Sequence, residues 1–205
     1  IFITGLARAG TTAVLNLIDT SNKFASLRYK YMPFILSPRL AKLFSNFSNK
    51  SSLQKERFHG DGITINISSP ECLDEPFWIN STSFYSKKNI YISPKDFSYE
   101  FIKKYNYFIN RYGKLESKKR ILIKNNNHHT RLKSLSKYFK ESIFLVLFRE
   151  PLAQSISLLN QNIRFKKLQE KDPFILDYMN MIGHWEFGLN KKPFIYEKKQ
   201  LELLN

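Results

Sequence analysis

The stretch IFITGLARAGTTAVLNLI, residues 1–18, decides how the chain is read. Residues 1–4 are a short apolar run of the kind that makes a buried strand, and Val14, Leu17 and Ile18 then recur at helical spacing. Between them Gly5 and Gly10 keep the spacing of a phosphate loop, G-x-x-x-x-G-K-[ST]. Thr11 stands where that pattern has lysine, with Thr12 after it. A glycine loop between a strand and a helix aims backbone N–H groups at an anion, and the helix end adds roughly half a positive charge. Which anion this loop takes has to be read further along the chain.

Outward from the loop, strands and helices alternate. KFASL (23–27), RILIKN (120–125) and SIFLVLF (142–148) read as strands, the last as the most deeply buried. Phe97, Phe101, Ile102, Tyr105, Phe108 and Ile109 form one helical stripe. Leu132, Leu135 and Phe139 mark a second helix; Leu152, Ile156, Leu159 and Ile163 mark a third. DPFILDYMNMIGHWEF (172–187) predicts a fourth, with Asp172 as cap and Pro173 at its first position. Helix starts are also predicted at Ser69, before Pro70 and Glu71, and over 93–96 (SPKD). Residues 44–57, rich in Ser, Asn and Lys, read as an exposed loop, and Gly60 and Gly62 mark a turn. This alternation predicts an α/β, three-layer αβα fold of P-loop type with a mostly parallel central sheet.

At 205 residues the chain suits one α/β domain. It begins inside a predicted strand and stops at LELLN in a predicted helix, so a single domain over 1–205, cut at both ends, is expected. No apolar run reaches the length of a membrane span, and no signal peptide is visible. A cytoplasmic location is expected, with peripheral attachment to a membrane as the alternative. One cysteine, Cys72, rules out an internal disulfide and a multi-thiolate zinc site; it reads as a partly buried structural thiol in a reducing compartment. The formal net charge of +16 implies an anionic partner: nucleic acid, acidic glycan, anionic lipid or polyphosphate. No recognised nucleic-acid motif is present.

A nucleoside triphosphatase needs the loop lysine and an acidic residue ending a nearby strand to hold Mg²⁺. Here the lysine is absent, and SIFLVLF ends in Arg149. That combination suits an anion held without a metal. Arg8 places a cation in the loop, Thr11 and Thr12 add hydroxyls, and Ser157 lies two turns into the helix after Arg149. Two anion sites on one sheet edge follow, each charge-assisted hydrogen bond contributing about 1.5–3 kcal/mol.

GLARAGTT resembles the 5′-phosphosulfate loop of sulfotransferases that use 3′-phosphoadenosine 5′-phosphosulfate (PAPS), and REPLAQSIS resembles their 3′-phosphate motif, R-x-P-x5-S. Both together, each between an apolar strand and a helix, arise by chance on the order of once in several hundred chains. The resemblance implies that Arg8, Ala9, Gly10, Thr11 and Thr12 hold the 5′-phosphosulfate, and that Arg149 and Ser157 hold the 3′-phosphate. It implies PAPS as donor, the 3′,5′-bisphosphate PAP as product, no metal, and a hydroxyl-bearing acceptor: glycan, lipid or small molecule. Ala9 replaces a frequent serine and removes one hydroxyl donor. RILIKNNNHH resembles the central strand after which the family often shows Lys-Ser-Pro-x-His, so Lys124 matches the lysine and His128 the histidine, with Asn-Asn in place of Ser-Pro. ERFHGDGI, SPECLDEPFW and DYMNMIGHWEFG look like segments of a bacterial branch.

Sulfuryl transfer needs donors at the leaving oxygens, a base for the acceptor proton and an in-line acceptor. Arg8 and Lys124 are expected to stabilise the leaving group and His128 to act as base, because a neutral imidazole accepts a proton near pH 7. His59, Asp61, Glu71 and Glu75 stay open as bases, the two glutamates on one face of one helix; His184 and Glu186 read as structural. Two other functions remain: a P-loop kinase or nucleotidase with an altered loop, and a basic protein that binds nucleic acid or acidic glycan.

Overall fold

The computed structural model describes residues 1–47, 53–71, 73–82 and 89–204. Cys72 and residues 48–52 of the expected loop lie outside them. In chain order, β1 (Phe2–Thr4) leads through the glycine loop to α1 (Thr11–Asp19) and β2 (Phe24–Ser26). α2 (Pro38–Phe47), a short hairpin of β3 (Lys55–Glu56) and β4 (Thr64–Ile65), and α3 (Glu75–Ser81) follow. The long α4 (Tyr99–Leu115) precedes β5 (Arg120–Lys124), a 3₁₀ turn at Asn126–Thr130, α5 (Leu132–Tyr138) and β6 (Phe144–Val146). α6 (Pro151–Lys171) and α7 (Pro173–Ile182) complete the regular helices, before a 3₁₀ segment at Lys198–Leu204.

The sheet runs β2-β5-β1-β6, with every pairing parallel. Alternation along the strands splits their side chains between two faces. Ile3 and Leu122 pack with Leu15 of α1 on one face. Phe2 and Ile123 pack on the other into a larger core with Tyr105, Ile109 and Tyr112 of α4 and Leu135 of α5. The three-layer αβα arrangement expected from the alternation is what forms.

Several local expectations are corrected. SIFLVLF is no buried strand: β6 is the sheet edge, and Phe148 is 87% exposed. An edge strand can be as apolar as a central one, because composition does not record strand order. Leu152, Ile156, Leu159 and Ile163 of α6 are likewise exposed. The 44–57 loop is shorter than expected, since α2 runs on to Phe47 and Phe44 stacks on Phe34 at 4.4 Å. The helix expected at Ser69 starts at Glu75 instead, with Asp74 before it and Pro76 in its first turn. Glu71 and Glu75 therefore do not share a helix face. The α4 cap is Ser98, not a residue of 93–96; its hydroxyl accepts the Phe101 N–H at 3.3 Å. Asp172 does cap α7, accepting from the Phe174 N–H at 3.0 Å.

α3 is tied to the end of β5 by a buried polar cluster. Arg131 donates to both oxygens of Glu75, at 2.9 and 2.5 Å, and both side chains are fully buried. Asn125 Nδ2 donates to Asp74 and Glu75 at 2.7 Å each, and Trp78 and Tyr105 also donate to Asp74. Removing one partner of a buried pair leaves an uncompensated charge. Arg131→Met is therefore expected to cost about 3–5 kcal/mol, read as a fall in the urea midpoint, and Arg131→Met/Glu75→Met to recover part of it. An unchanged midpoint in the single variant would contradict the pairing.

Candidate functional site

The glycine loop shows why its glycines are needed. Gly5 has φ +145°, and a Cβ there would meet the Leu147 carbonyl oxygen at 2.4 Å, so the loop can lie against the end of β6 only without a side chain. Gly10, at φ +94°, caps α1 with open space above it. The first helical hydrogen bond runs from the Val14 N–H to the Gly10 carbonyl, so the N–H groups of Thr11, Thr12 and Ala13 precede the helix ladder. The Ala9 N–H is taken up inside the loop by the Leu6 carbonyl at 3.2 Å.

The two sequence motifs meet. Arg8 Nε donates to Ser157 Oγ at 3.0 Å, and Arg149 Nη1 donates to the Arg8 carbonyl at 3.2 Å. Gln154, unforeseen in the sequence, donates to the Ala7 carbonyl at 3.0 Å. α6 and the arginine just before it thus hold the loop at three points. Arg8 itself has φ +70°, a left-handed conformation that costs a non-glycine residue of order 1–3 kcal/mol and persists only where its surroundings enforce it. Glu150 caps α6: its carboxylate accepts from the Leu152 and Ala153 N–H groups at 2.9 and 2.6 Å.

A ladder of charge continues from the loop. Arg8 Nη1 donates to Asp61 Oδ2 at 2.7 Å, and Arg57 donates to both oxygens of Asp61. Burial works against the charge on Asp61, yet Arg57 and Arg8 hold its carboxyl below the usual carboxylate range. Arg57 Nη1 also donates to Glu71 Oε1 at 2.5 Å, and the Thr12 hydroxyl donates to that same oxygen. Lys124 Nζ lies 4.0 Å from it; burial pushes this ammonium pKa down, with Glu71 and Glu186 pulling the other way. Thr11 Oγ1 donates to Asn126 Oδ1 at 3.1 Å, and Asn126 Nδ2 donates to Glu186 Oε1 at 3.0 Å. Glu71 Oε2 and Glu186 Oε2 are buried and make no hydrogen bond among the described residues.

All these groups except Asp61 line one cavity of about 510 Å³. His184 and Glu186, read as structural in the sequence, belong to its wall, with His184 Nδ1 3.2 Å from Glu186 Oε2. Arg149 and Ser157 touch the loop but do not line the cavity. His128 is elsewhere. It is fully buried among Phe2, Trp78 and Tyr105, its Nε2 3.2 Å from Asp74 Oδ2. The 3₁₀ turn after β5 points it into the core, and it does not line the cavity. Lys124, at the end of the same strand, stays at the cavity. Among the described residues, no His, Cys, Asp and Glu group could hold a metal ion.

His59 lines the cavity wedged against Phe165, Phe187 and His184. Burial first, then His184 and Arg57, push its pKa from 6.5 down to about 2. A base so weak takes no proton near neutrality. The folded imidazole stays neutral while the unfolded one protonates below about pH 6.5, so acid favours the unfolded chain. The His59→Phe variant should lose less stability than wild type between pH 6.5 and 4, read by urea unfolding across that range; parallel pH profiles would refute the burial.

Comparison with known proteins agrees with this geometry. The sequence model described as the sulfotransferase family matches residues 1–191, a span that includes the loop, β5, the Arg149–Ser157 segment and α7. No curated protein and no solved structure matches. A match over so much of the chain leads to one conclusion: the chain belongs to the sulfotransferase family.

Proposed function

We propose that the chain transfers a sulfuryl group from PAPS to a hydroxyl acceptor by direct in-line displacement without a metal. The observation that carries this reading is the junction of Arg149, the Arg8 carbonyl and Ser157, which sets both anion motifs within one nucleotide's reach. The donor set fits a nucleotide with phosphates at both ends of its ribose. Ser157 accepts from Arg8, so its hydroxyl proton is left to donate to a 3′-phosphate beside Arg149. The N–H groups at the start of α1, with Arg8 beside them, would take the 5′ end; the hydroxyl protons of Thr11 and Thr12 are already given to Asn126 and Glu71. PAPS bound there would supply an activated sulfuryl group.

The chain's own groups then divide the work. The acceptor oxygen bonds to sulfur as the sulfur–oxygen bond to the phosphate breaks, and the electron pair leaves on the phosphate oxygen. Lys124 and Arg8 stabilise the charge growing there. Glu71 takes the acceptor proton on Oε2, the oxygen its neighbours leave free. Glu71 replaces His128 in this role because it reaches the cavity and His128 does not.

Calorimetry tests the donor. PAP should bind equally with and without Mg²⁺, and Arg149→Ala should weaken it about 10- to 100-fold, the equivalent of one lost charge-assisted hydrogen bond. No PAP binding, with ATP-Mg binding instead, would overturn the reading. Glu71→Gln should leave PAP affinity within a few-fold of wild type and lower kcat by roughly 10²–10⁴; unchanged turnover would remove Glu71 from the proton transfer.

A further inference from the structure

The helix α2 buries its small residues and exposes its large ones. Pro38, Ala41 and Ser45 are buried, while Leu40, Leu43 and Phe44 are 43%, 57% and 50% exposed. Positions 40, 43 and 44 share one side of the helix by their i, i+3, i+4 spacing. Leu36, just before α2, is exposed as well. Isolated exposed leucines are ordinary, but a contiguous group of them marks a surface that something covers. The helix, PRLAKLFSNF, carries no acid, and its two charged residues, Arg39 and Lys42, stand exposed among the leucines.

This face continues into a groove beside α4. Leu36 and Pro38 line the groove with Phe77, Tyr107 and Phe108. Its α4 edge carries Lys103, Lys104 and Arg111, with Glu100 as the acid beside them. The Tyr112 hydroxyl donates to the Ile35 carbonyl and fixes the segment before α2 against α4. Among the described residues, none of Arg39, Lys42, Lys103, Lys104 and Arg111 forms an ion pair. Arg111 lies over the Tyr107 ring, 5.7 Å from its centroid. The groove shares no lining residue with the cavity beside the glycine loop.

We propose that this α2–α4 face docks the protein on an anionic lipid bilayer. Lipid phosphates and carboxylates meet the cations, each Lys or Arg near such a surface strengthening binding by about fivefold. Leu40, Leu43 and Phe44 enter the boundary between headgroups and acyl chains. With 10 residues α2 is far shorter than a membrane span, so it lies in the plane of the interface. Nucleic acid would satisfy the cations and leave the leucines in water. An acidic protein would need a surface shaped to side chains that stand out from a helix, whereas a fluid bilayer takes them as they are. The docking face is independent of the donor reading above.

The test is sedimentation of the full chain with vesicles of phosphatidylcholine, alone or mixed with phosphatidylserine. Binding to the mixed vesicles and not to phosphatidylcholine alone is expected. Lys103→Gln/Lys104→Gln and Leu40→Gln/Leu43→Gln, all at exposed positions, should each weaken it roughly tenfold or more. Lys166→Gln/Lys167→Gln removes the same charge from exposed positions of α6. Screening over that distance should hold its effect within about threefold. In Leu43→Trp the emission should shift to the blue on mixed vesicles; Trp78 and Trp185 are buried, so the shift reports position 43. No vesicle binding, equal binding to both vesicle types, equal weakening by the α6 pair, or no effect of the leucine pair would overturn the proposal. So would capture of poly(dT) through Lys103 and Lys104 without vesicle binding, which would make this a nucleic-acid surface.

Discussion

Two carboxylates without access to water, Asp74 and Glu75, fix the geometry on which the site depends. A buried carboxylate is tolerable only when paired and hydrogen-bonded, and these two take their partners from separate parts of the fold. Asn125 comes from the end of β5, Arg131 from the turn before α5, Tyr105 from α4, and Trp78 from α3 itself. Satisfying all of them at once leaves α3 a single seat at the C-terminal edge of the sheet. Glu71, three residues upstream of Asp74, is thereby held against Thr12, and through Arg57 it is linked to Asp61 and Arg8. The same cluster accounts for His128, whose ring is drawn into it beside Asp74.

The charged groups along the cavity beside the glycine loop balance one another within the protein itself. Arg8 and Arg57 share Asp61, Arg57 also holds Glu71, and Lys124 faces Glu71 across 4.0 Å. Balance of this kind lets cations sit in a partly desolvated cavity without large repulsion. It also keeps the groups in place, so little reorganisation is needed when charge develops on a leaving oxygen. The left-handed Arg8 fits this pattern. Its strain is sustained by Asp61 and Ser157 on its side chain and by Arg149 on its carbonyl, so the loop is set by its neighbours and not by local preference.

Much of the fold was legible in residues 1–18 and in the later strands, because hydrophobic period and glycine spacing are local signals. The layered α/β architecture, the parallel sheet and the placing of Arg8 and Arg149 on one sheet edge follow from such signals. Boundaries were less legible. Ser69-Pro70 has the chemistry of a helix start, but the helix waits for Asp74 and Glu75, whose partners lie some fifty residues away.

The sequence by itself determined which segments invite an anion-binding reading: a glycine loop with an arginine, and an apolar run followed by arginine before a proline-started helix. Only the tertiary structure decided which side chains face the cavity. His128 and Glu186 both stand in segments that invite a reading, yet one is turned inward by a 3₁₀ turn and the other outward beside Asn126. Arg57 gives no signal in its Lys- and Ser-rich surroundings, and becomes central because the hairpin folds over the loop. The apolar character of the cavity was hidden for a similar reason. Its apolar side chains are contributed by the β3–β4 turn, α6, α7 and the segment after α7, which meet only when the chain folds, and a charge summed over the whole chain does not record where they meet.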